Sequence, residues 1–444
     1  MPSVAIVSQA FEGMANAISK AMGTEQVGLA IYPGVIPVDD DQTFHRKMVS
    51  EVVPSVITGL TNPVPGSHSV DTPPASDPRR EVFVGDYHQV FDHYLEQGWT
   101  DGLPIVPPTV EHVEAFLAHT PRDPDEVLGT LWPSCQEATV WSVAVNGSMA
   151  GCRPEYLPLL IATVEAIADP AFRVQDAGST PGWEPLVTVS GPVVDQLGFN
   201  AGTGVLRMGR QANTSVGRFV RLYLRNVAGI RIPPDHTDQA AIGASMTVAL
   251  AEDDAATAAA GWVPSRVANG FGADDSVVTV RGVVSASTPI YTAGAYATDH
   301  LGTIARVFSD TIGPWCCHSY VYGASYPLLV LCPSIAQAIA ADGLSRSDVK
   351  QFLYDNLLID GDWVERYARG VSGKDFSWAR LAAEGKAPDE YADRTTGDPR
   401  VRQLLDPSWT ELIVAGNPGR NQSRAFVGNH QQGAPAHRVI ETSS

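Results

Sequence analysis

Two short apolar runs alternate with two longer runs of helical spacing across residues 1–60, and that alternation limits the fold more than any other feature. Residues 4–8 and 27–32 carry the apolar content of buried strands. Residues 11–22 place Phe11, Met14, Ile18 and Met22 on one face, and 41–60 do the same with Phe44, Met48, Val52, Val56 and Leu60. Strand–helix–strand–helix order predicts an α/β unit with a parallel sheet. The stretch is too short for a complete doubly wound domain. The expected architecture is therefore a small N-terminal Rossmann-like unit, 1–60, joined to a larger α/β (α+β) domain, 85–444. Residues 61–84 are rich in Pro, Ser, Asp and Thr and read as a linker. The last part of the main domain, about 325–444, is the portion expected to pack with the N-terminal unit.

The chain has 444 residues, too many for one ordinary core. Only 18% of them are charged and 44% are hydrophobic, which predicts much buried surface and a homo-oligomer. A formal net charge of -19 repels nucleic acid and anionic membrane, so neither is an expected partner. A small anionic substrate would need a local cluster of arginines or backbone N–H groups. No stretch is long and apolar enough to span a bilayer. The first seven residues lack the basic and apolar regions of a signal peptide. Five cysteines, an odd and low count, point to reduced thiols and a cytoplasmic location.

The middle of the chain turns on Asn146-Gly147-Ser148-Met149-Ala150-Gly151-Cys152-Arg153-Pro154-Glu155-Tyr156. An apolar run over 138–145 precedes it and reads as a strand; a helix is expected over 154–168, with Pro154 in its first turn. Cys152 then stands at or just before a helix N-terminus, a position that lowers a thiol pKa. A functional thiol and a small buried cysteine are both open here. Glu137, Glu155 and His318 are the candidate proton carriers, although Glu155 also suits a helix first turn. Asp101, in Asp101-Gly102-Leu103-Pro104, is read as a turn former or a catalytic acid. Thr109 is expected to cap a helix over 110–118.

Two glycine-bearing loops stand out, the first with no strand directly before it. Gly198-Phe199-Asn200-Ala201-Gly202-Thr203-Gly204 can aim successive backbone N–H groups at an anion, and Arg207, Arg210 and Asn213 come after it. A helix over 216–227, capped by Asn213 or Thr214, carries Arg218, Arg221 and Arg225. Loop, helix end and arginines make an anion site, with ion pairs to surface acids as the alternative use of the arginines. The second loop, 416–423, follows a strand at 411–415. It supplies Gly416, Asn417 and Ser423 at a strand's C-terminal end, where α/β proteins bind ligands. Asn146, Asn200, Gly202, Gly204, Arg210, Asn213 and Arg218 complete the substrate-binding candidates. Strands are also expected at 186–190, 245–250, 276–284 and 327–331. Cys332-Pro333-Ser334 and a helix over 335–341 follow the last of these. Ser345 with Asp348 marks the start of a helix over 349–358.

Cys316-Cys317-His318 invites a transition metal, the one candidate cofactor. A core cysteine pair beside a hydrogen-bonded histidine explains the same residues. No dinucleotide fingerprint, Walker loop, nucleophile elbow or zincin helix is visible, which disfavours a nicotinamide enzyme, an ATPase and an ordinary hydrolase.

Four stretches resemble the UGSC-like family, named for a selenocysteine- or cysteine-Gly-Ser-Cys motif and distantly similar to B-type subunits of glycine and proline reductases. They are residues 101–109, 149–156, 328–358 and Val414-Ala415-Gly416-Asn417-Pro418-Gly419. The first sixty residues are similar in pattern to the α/β part of shorter members. The name-giving motif is missing: no Cys-Gly-x-Cys occurs anywhere in the chain. The resemblance therefore implies either a partner chain that carries the motif or different chemistry here, through a group such as Cys152. Together these features lead to an expected enzyme acting on a small carboxylate-bearing metabolite, of lyase or transferase type. A metal-dependent enzyme and a non-catalytic subunit of a reductase-like complex are the alternatives.

Overall fold

A computed structural model describes residues 3–21, 27–34, 36, 39–62, 77, 79–178, 182–232, 240–372, 376–393, 398–428 and 433–441. Most of the expected linker, 63–76 and 78, lies outside the described residues. Helices hold 46% of the chain and strands 17%, with parallel and antiparallel pairing in one sheet, so the fold is α/β. The chain divides into two compact units, Met1–Glu81 with Gly361–Gly397, and Val82–Asp360 with Asp398–Ser444.

In the first unit, β1 (Val4–Ser8) and β2 (Gly28–Tyr32) pair in parallel. Asp40 starts the helix Asp41–Lys47 by accepting the Thr43 N–H at 2.7 Å, as an N-cap carboxylate should. Ala30, Tyr32 and Val52 form the buried centre, with Phe44, Met48 and Val56 against it. The Tyr32 hydroxyl donates to Asp39 at 2.6 Å, and Lys47 pairs with the same carboxylate. Residues 374–399 read as a polar loop, but a helix, Trp378–Ala383, forms among them. Trp378 is fully buried and its Nε1 donates to the Gly361 carbonyl at 2.8 Å. Burying one indole orders a segment whose composition is otherwise that of a loop.

The second unit carries a side hairpin, β3 (Val127–Leu131) and β4 (Gln136–Thr139). Its main sheet uses β5 (Glu184–Ser190), β6 (Leu250–Ala251), β7 (Val277–Ala286), β8 (Ile290–Tyr291) and β9 (Leu328–Leu331). A separate pair, β10 (Leu358–Asp360) with β11 (Arg400–Arg402), precedes the last three strands of that sheet. These are β12 (Glu411–Val414), β13 (Gln422–Gly428) and β14 (Ala436–Val439). The order is β12-β9-β13-β7-β5-β6, with β14 on β7 and β8 on β13. β9 and β12 are parallel, as are β5 and β6; the remaining pairs are antiparallel.

This sheet curls until its edges meet. The Asp253 N–H, just past β6, donates to the Val414 carbonyl of β12 at 2.9 Å. Arg346 lies along the same seam, bonded to the Leu412 carbonyl and 3.5 Å from Glu252. Leu186, Leu250, Val283, Val330, Ile413 and Phe426, one from each of six strands, form a single inner cluster. Such an enclosed face is how a curled sheet makes a lumen wide enough for side chains or one small ligand.

The outer face supplies Val187, Val189, Val278 and Val280 to the largest core, beneath the helices Val140–Met149, Leu157–Ala168 and Gln211–Tyr223. The Leu157 helix is buried on almost every side, and each of Leu157, Leu159 and Leu160 contributes roughly 1.5–3 kcal/mol.

Three local expectations are corrected here. Residues 140–145 are helical, not extended. The Thr139 Oγ1 accepts the Ser142 N–H at 3.1 Å and the Ser142 Oγ accepts the Thr139 N–H at 3.0 Å, a cap that overrides a short Val/Ala run of ambiguous period. The helix expected over 216–227 already begins at Gln211, so Asn213 lies inside it and is not a cap. Of 245–250 only Leu250 is in a strand. Asn213 binds that segment instead: its Nδ2 donates to the Ala249 carbonyl at 2.9 Å, and its own carbonyl accepts the Ala249 N–H at 2.8 Å.

Candidate active site

The strand ends at one mouth of the lumen are Ala286 of β7, Cys332 after β9, Gly416 after β12 and the start of β13. A cleft of about 880 Å³ opens there, in the range of a small-molecule pocket. Leu186, Val330 and Phe426 floor it, and Val205, Met246 and Val248 close one side. The two glycine loops form its rim. They are tied directly, because the Gly416 N–H donates to the Ala201 carbonyl at 2.8 Å. Gly204 and Gly416 both adopt positive φ (72° and 109°), where other residues are strained. Asn213 holds the first loop from below, accepting the Asn200 N–H at 2.8 Å and donating to the Asn200 carbonyl at 3.0 Å.

Arg207, Arg420 and Arg424 line this cleft, the first two exposed and Arg424 partly buried. None has an ion-pair partner among the described residues, and the Nε of Arg424 is buried without a hydrogen-bond acceptor. Three guanidiniums without acidic partners among the described residues, in a chain of net charge -19, create a local positive site in an otherwise repulsive field.

Among the expected substrate-binding residues, Gly204, Gly416, Asn417 and Ser423 border the cleft; Asn146, Asn200, Gly202, Arg210, Asn213 and Arg218 do not. The Asn417 Oδ1 accepts the Gly419 N–H at 2.8 Å, which closes its loop. Ser423 pairs with Leu331 and Ile290, so the pleat turns its side chain away from the lumen. The Asn200 Oδ1 accepts the Gly202 N–H at 3.0 Å and shapes the first loop. Asn146 lies buried in the Val140–Met149 helix, its Oδ1 accepting from Asn226 at 2.8 Å. Arg210 is exposed, at the residue preceding the Gln211 helix. Arg218 is used internally: its Nε and Nη2 grip Asp101 at 2.9 and 2.8 Å, and Nη2 also reaches the Pro104 carbonyl at 2.9 Å.

The four catalytic candidates, Cys152, Glu137, Glu155 and His318, all lie away from the cleft. Cys152 does not open a helix. Its N–H donates to the Gly147 carbonyl at 3.0 Å, closing the preceding helix, with Gly151 at positive φ. Burial pushes its thiol up to about 12, against smaller opposing effects of Ser215 and Arg218, so the expected lowering is reversed. Glu137 is exposed on the β3–β4 hairpin, and Glu155 is exposed beside Arg153. Cys316 and Cys317 are buried, and burial raises both thiols, that of Cys317 to about 12. The His318 Nδ1 sits 3.1 Å from the Trp315 carbonyl, and burial lowers its pKa. Among the described residues no group of three or more His, Cys, Asp and Glu is placed to hold a metal ion. No helix among them is long and apolar enough to cross a membrane.

The thiol that does border the cleft is that of Cys332, the residue just before the helix Pro333–Ala341. A strand running into Cys-Pro was the available signal, because proline at the first helical position marks the residue before it as the cap. Burial raises this thiol, while backbone hydrogen bonds from Gln422 and Asn417 pull the other way. A Cβ on Gly416 would lie 3.0 Å from the Cys332 Sγ, so glycine is what lets the loop lie against the sulfur. Arg207 stood in the sequence among the arginines of the first glycine loop, but nothing there set it, Arg420 or Arg424 apart from Arg218.

Comparison of the chain with protein-family models, with curated proteins and with solved structures found no match.

The Asp101–Arg218 pair carries a pH prediction. Burial pushes the Asp101 carboxyl up, but hydrogen bonds and charge from Arg218 outweigh it, leaving it below the usual carboxylate range. A depressed folded pKa means stability that is present above the unfolded value and lost as pH falls through the folded one. Asp101→Asn is expected to lower unfolding free energy by about 1–2 kcal/mol at neutral pH. In urea titrations the gap should close below about pH 4, the unfolded carboxylate value. A gap that is the same at neutral and acid pH would show that the pair's charge contributes nothing.

Proposed function

We propose that the protein is an enzyme acting on a small carboxylate-bearing metabolite bound in the cleft at the lumen mouth. The observation that carries this is the presence of Arg207, Arg420 and Arg424, without acidic partners among the described residues, in the lining of one cleft with an apolar floor. Guanidinium groups bind carboxylates through charge-assisted hydrogen bonds. The floor of Leu186, Val330 and Phe426 suits a short hydrocarbon body behind that head. Kinship with the UGSC-like proteins belongs to the same proposal. Of the stretches that carry it, 328–358 and 414–419 meet the cleft, with Val330, Cys332, Ala415, Gly416 and Asn417 among its lining, whereas 101–109 and 149–156 do not.

Calorimetry with short carboxylic acids and their neutral amides tests this. The acids are expected to bind and the amides are not. Arg424→Met should weaken the acids about tenfold to a hundredfold, the value of one charge-assisted contact. Equal affinity for acid and amide, or no loss in Arg424→Met, would remove the carboxylate assignment.

A further inference from the structure

Cys332 is the group at the cleft whose chemistry carboxylate binding leaves unused. The cleft lining includes no Asp, Glu, His or Lys among the described residues. The usual general bases are therefore missing from the lining, and the strongest nucleophile left on it is a thiol.

Strand register puts that thiol beside the arginine. The Cys332 N–H donates to the Gln422 carbonyl at 3.0 Å, and Arg424 is paired with Val330. Cys332 and Arg424 are thus diagonal neighbours on the inner face, where Cα atoms lie roughly 7–8 Å apart and long side chains meet. Arg424 is partly buried, and its Nε lacks an acceptor among the described residues, so this donor is available to a bound carboxylate. The sulfur itself is held in place by the abutting Gly416 and the backbone of Gln422 and Asn417.

Resting on the carboxylate-cleft reading, we infer that Cys332 is the catalytic nucleophile and that the substrate is an oxo acid. Its carboxylate sits on Arg424 and its carbonyl carbon against the Sγ of Cys332. In the step, a sulfur lone pair forms the S–C bond and the C=O π pair moves onto oxygen. The thiol proton passes to that oxygen, giving a hemithioacetal, so no oxidant or second substrate is consumed.

The test is site-resolved alkylation of the whole chain at alkaline pH by iodoacetate and, separately, by iodoacetamide. In both, the S–C bond forms, the C–I bond breaks, iodide leaves with the bonding pair and the thiol proton goes to solvent. Only iodoacetate carries a carboxylate, and the exposed Cys135 is an internal reference for intrinsic reactivity. The iodoacetate-to-iodoacetamide rate ratio is expected to be about tenfold or more higher at Cys332 than at Cys135, from one arginine–carboxylate contact. Pyruvate should protect Cys332 and leave Cys135 untouched. This comparison needs no variant; Arg424→Met, where it folds, should reduce the Cys332 ratio to that of Cys135. If Cys332 resists both reagents while carboxylates still bind, the nucleophile is overturned and the cleft reading stands. If Cys332 reacts at the Cys135 ratio, pyruvate gives no protection and carboxylates do not bind, both are overturned.

Discussion

Gly217→Ala is expected to destabilise the second unit by about 3 kcal/mol or more, the upper range for overpacking. Gly217 lies in the Gln211–Tyr223 helix, where that helix crosses residues 247 and 248. A Cβ there would stand 2.5 Å from the carbonyl carbon and oxygen of Thr247 and 2.6 Å from the Val248 nitrogen. These are backbone atoms and cannot turn aside like a side-chain tip. They are also held, because Asn213, one helical turn earlier, bonds Ala249 through both its side chain and its carbonyl. The helix must therefore lift or the segment must move, and Thr247 and Val248 border the cleft. Gly302 provides the contrast. It lies in the helix Ala297–Ile312 with nothing within 4 Å of the added Cβ. Alanine there should be neutral or stabilising by up to about 1 kcal/mol, through helix propensity. Urea unfolding of the two variants checks the pair. Equal midpoints would show that the close approach at Gly217 is relieved at no cost.

Glu411→Gln is expected to cost about 3–5 kcal/mol, the range for removing one partner of a buried ion pair. Glu411 of β12 pairs with Arg281 of β7, at the end of the lumen away from the cleft. Arg281 is 2% exposed, and its Nε and Nη1 already lack acceptors among the described residues. A guanidinium does not shed its proton, so without Glu411 a buried charge stands uncompensated. Burial pushes the Glu411 carboxyl up, but the charges of Arg281 and His437 outweigh it, and its pKa is lowered. The pair's contribution is thus present above the unfolded carboxylate pKa and lost as pH falls through the folded value. Adding Arg281→Met to Glu411→Gln should recover much of the loss, since an apolar replacement removes the charge as well as its partner. Thermal unfolding of both single variants and the double variant measures this. A Glu411→Gln loss below about 1 kcal/mol, the range of an exposed pair, would show that water reaches the pair.

Local rules carried the elements well. The cap at Ser345 with Asp348, the cap at Thr109, the parallel pair β1 and β2, and the β-branched runs of β5 and β7 are readable because each depends on residues within a few positions. The same rules misread 140–145, where the deciding contact was a reciprocal cap at Thr139 and the apolar run alone fits helix or strand. They also put Cys152 just before a helical turn, where it is, but did not show the burial that raises its thiol instead of lowering it.

By itself the sequence determined an α/β chain with two glycine loops that follow apolar segments, an acidic surface and five unpaired cysteines. Tertiary structure decided which of these features share a site. It tied Arg218 to Asp101, 117 residues away, and left Arg207, Arg420 and Arg424 at the cleft. It brought Gly416 onto Ala201 and set Cys332 diagonally from Arg424. The physical reason is range: capping and hydrophobic period act over three or four residues, whereas charge pairing and strand register join residues that only the curled sheet brings within a few ångströms of each other.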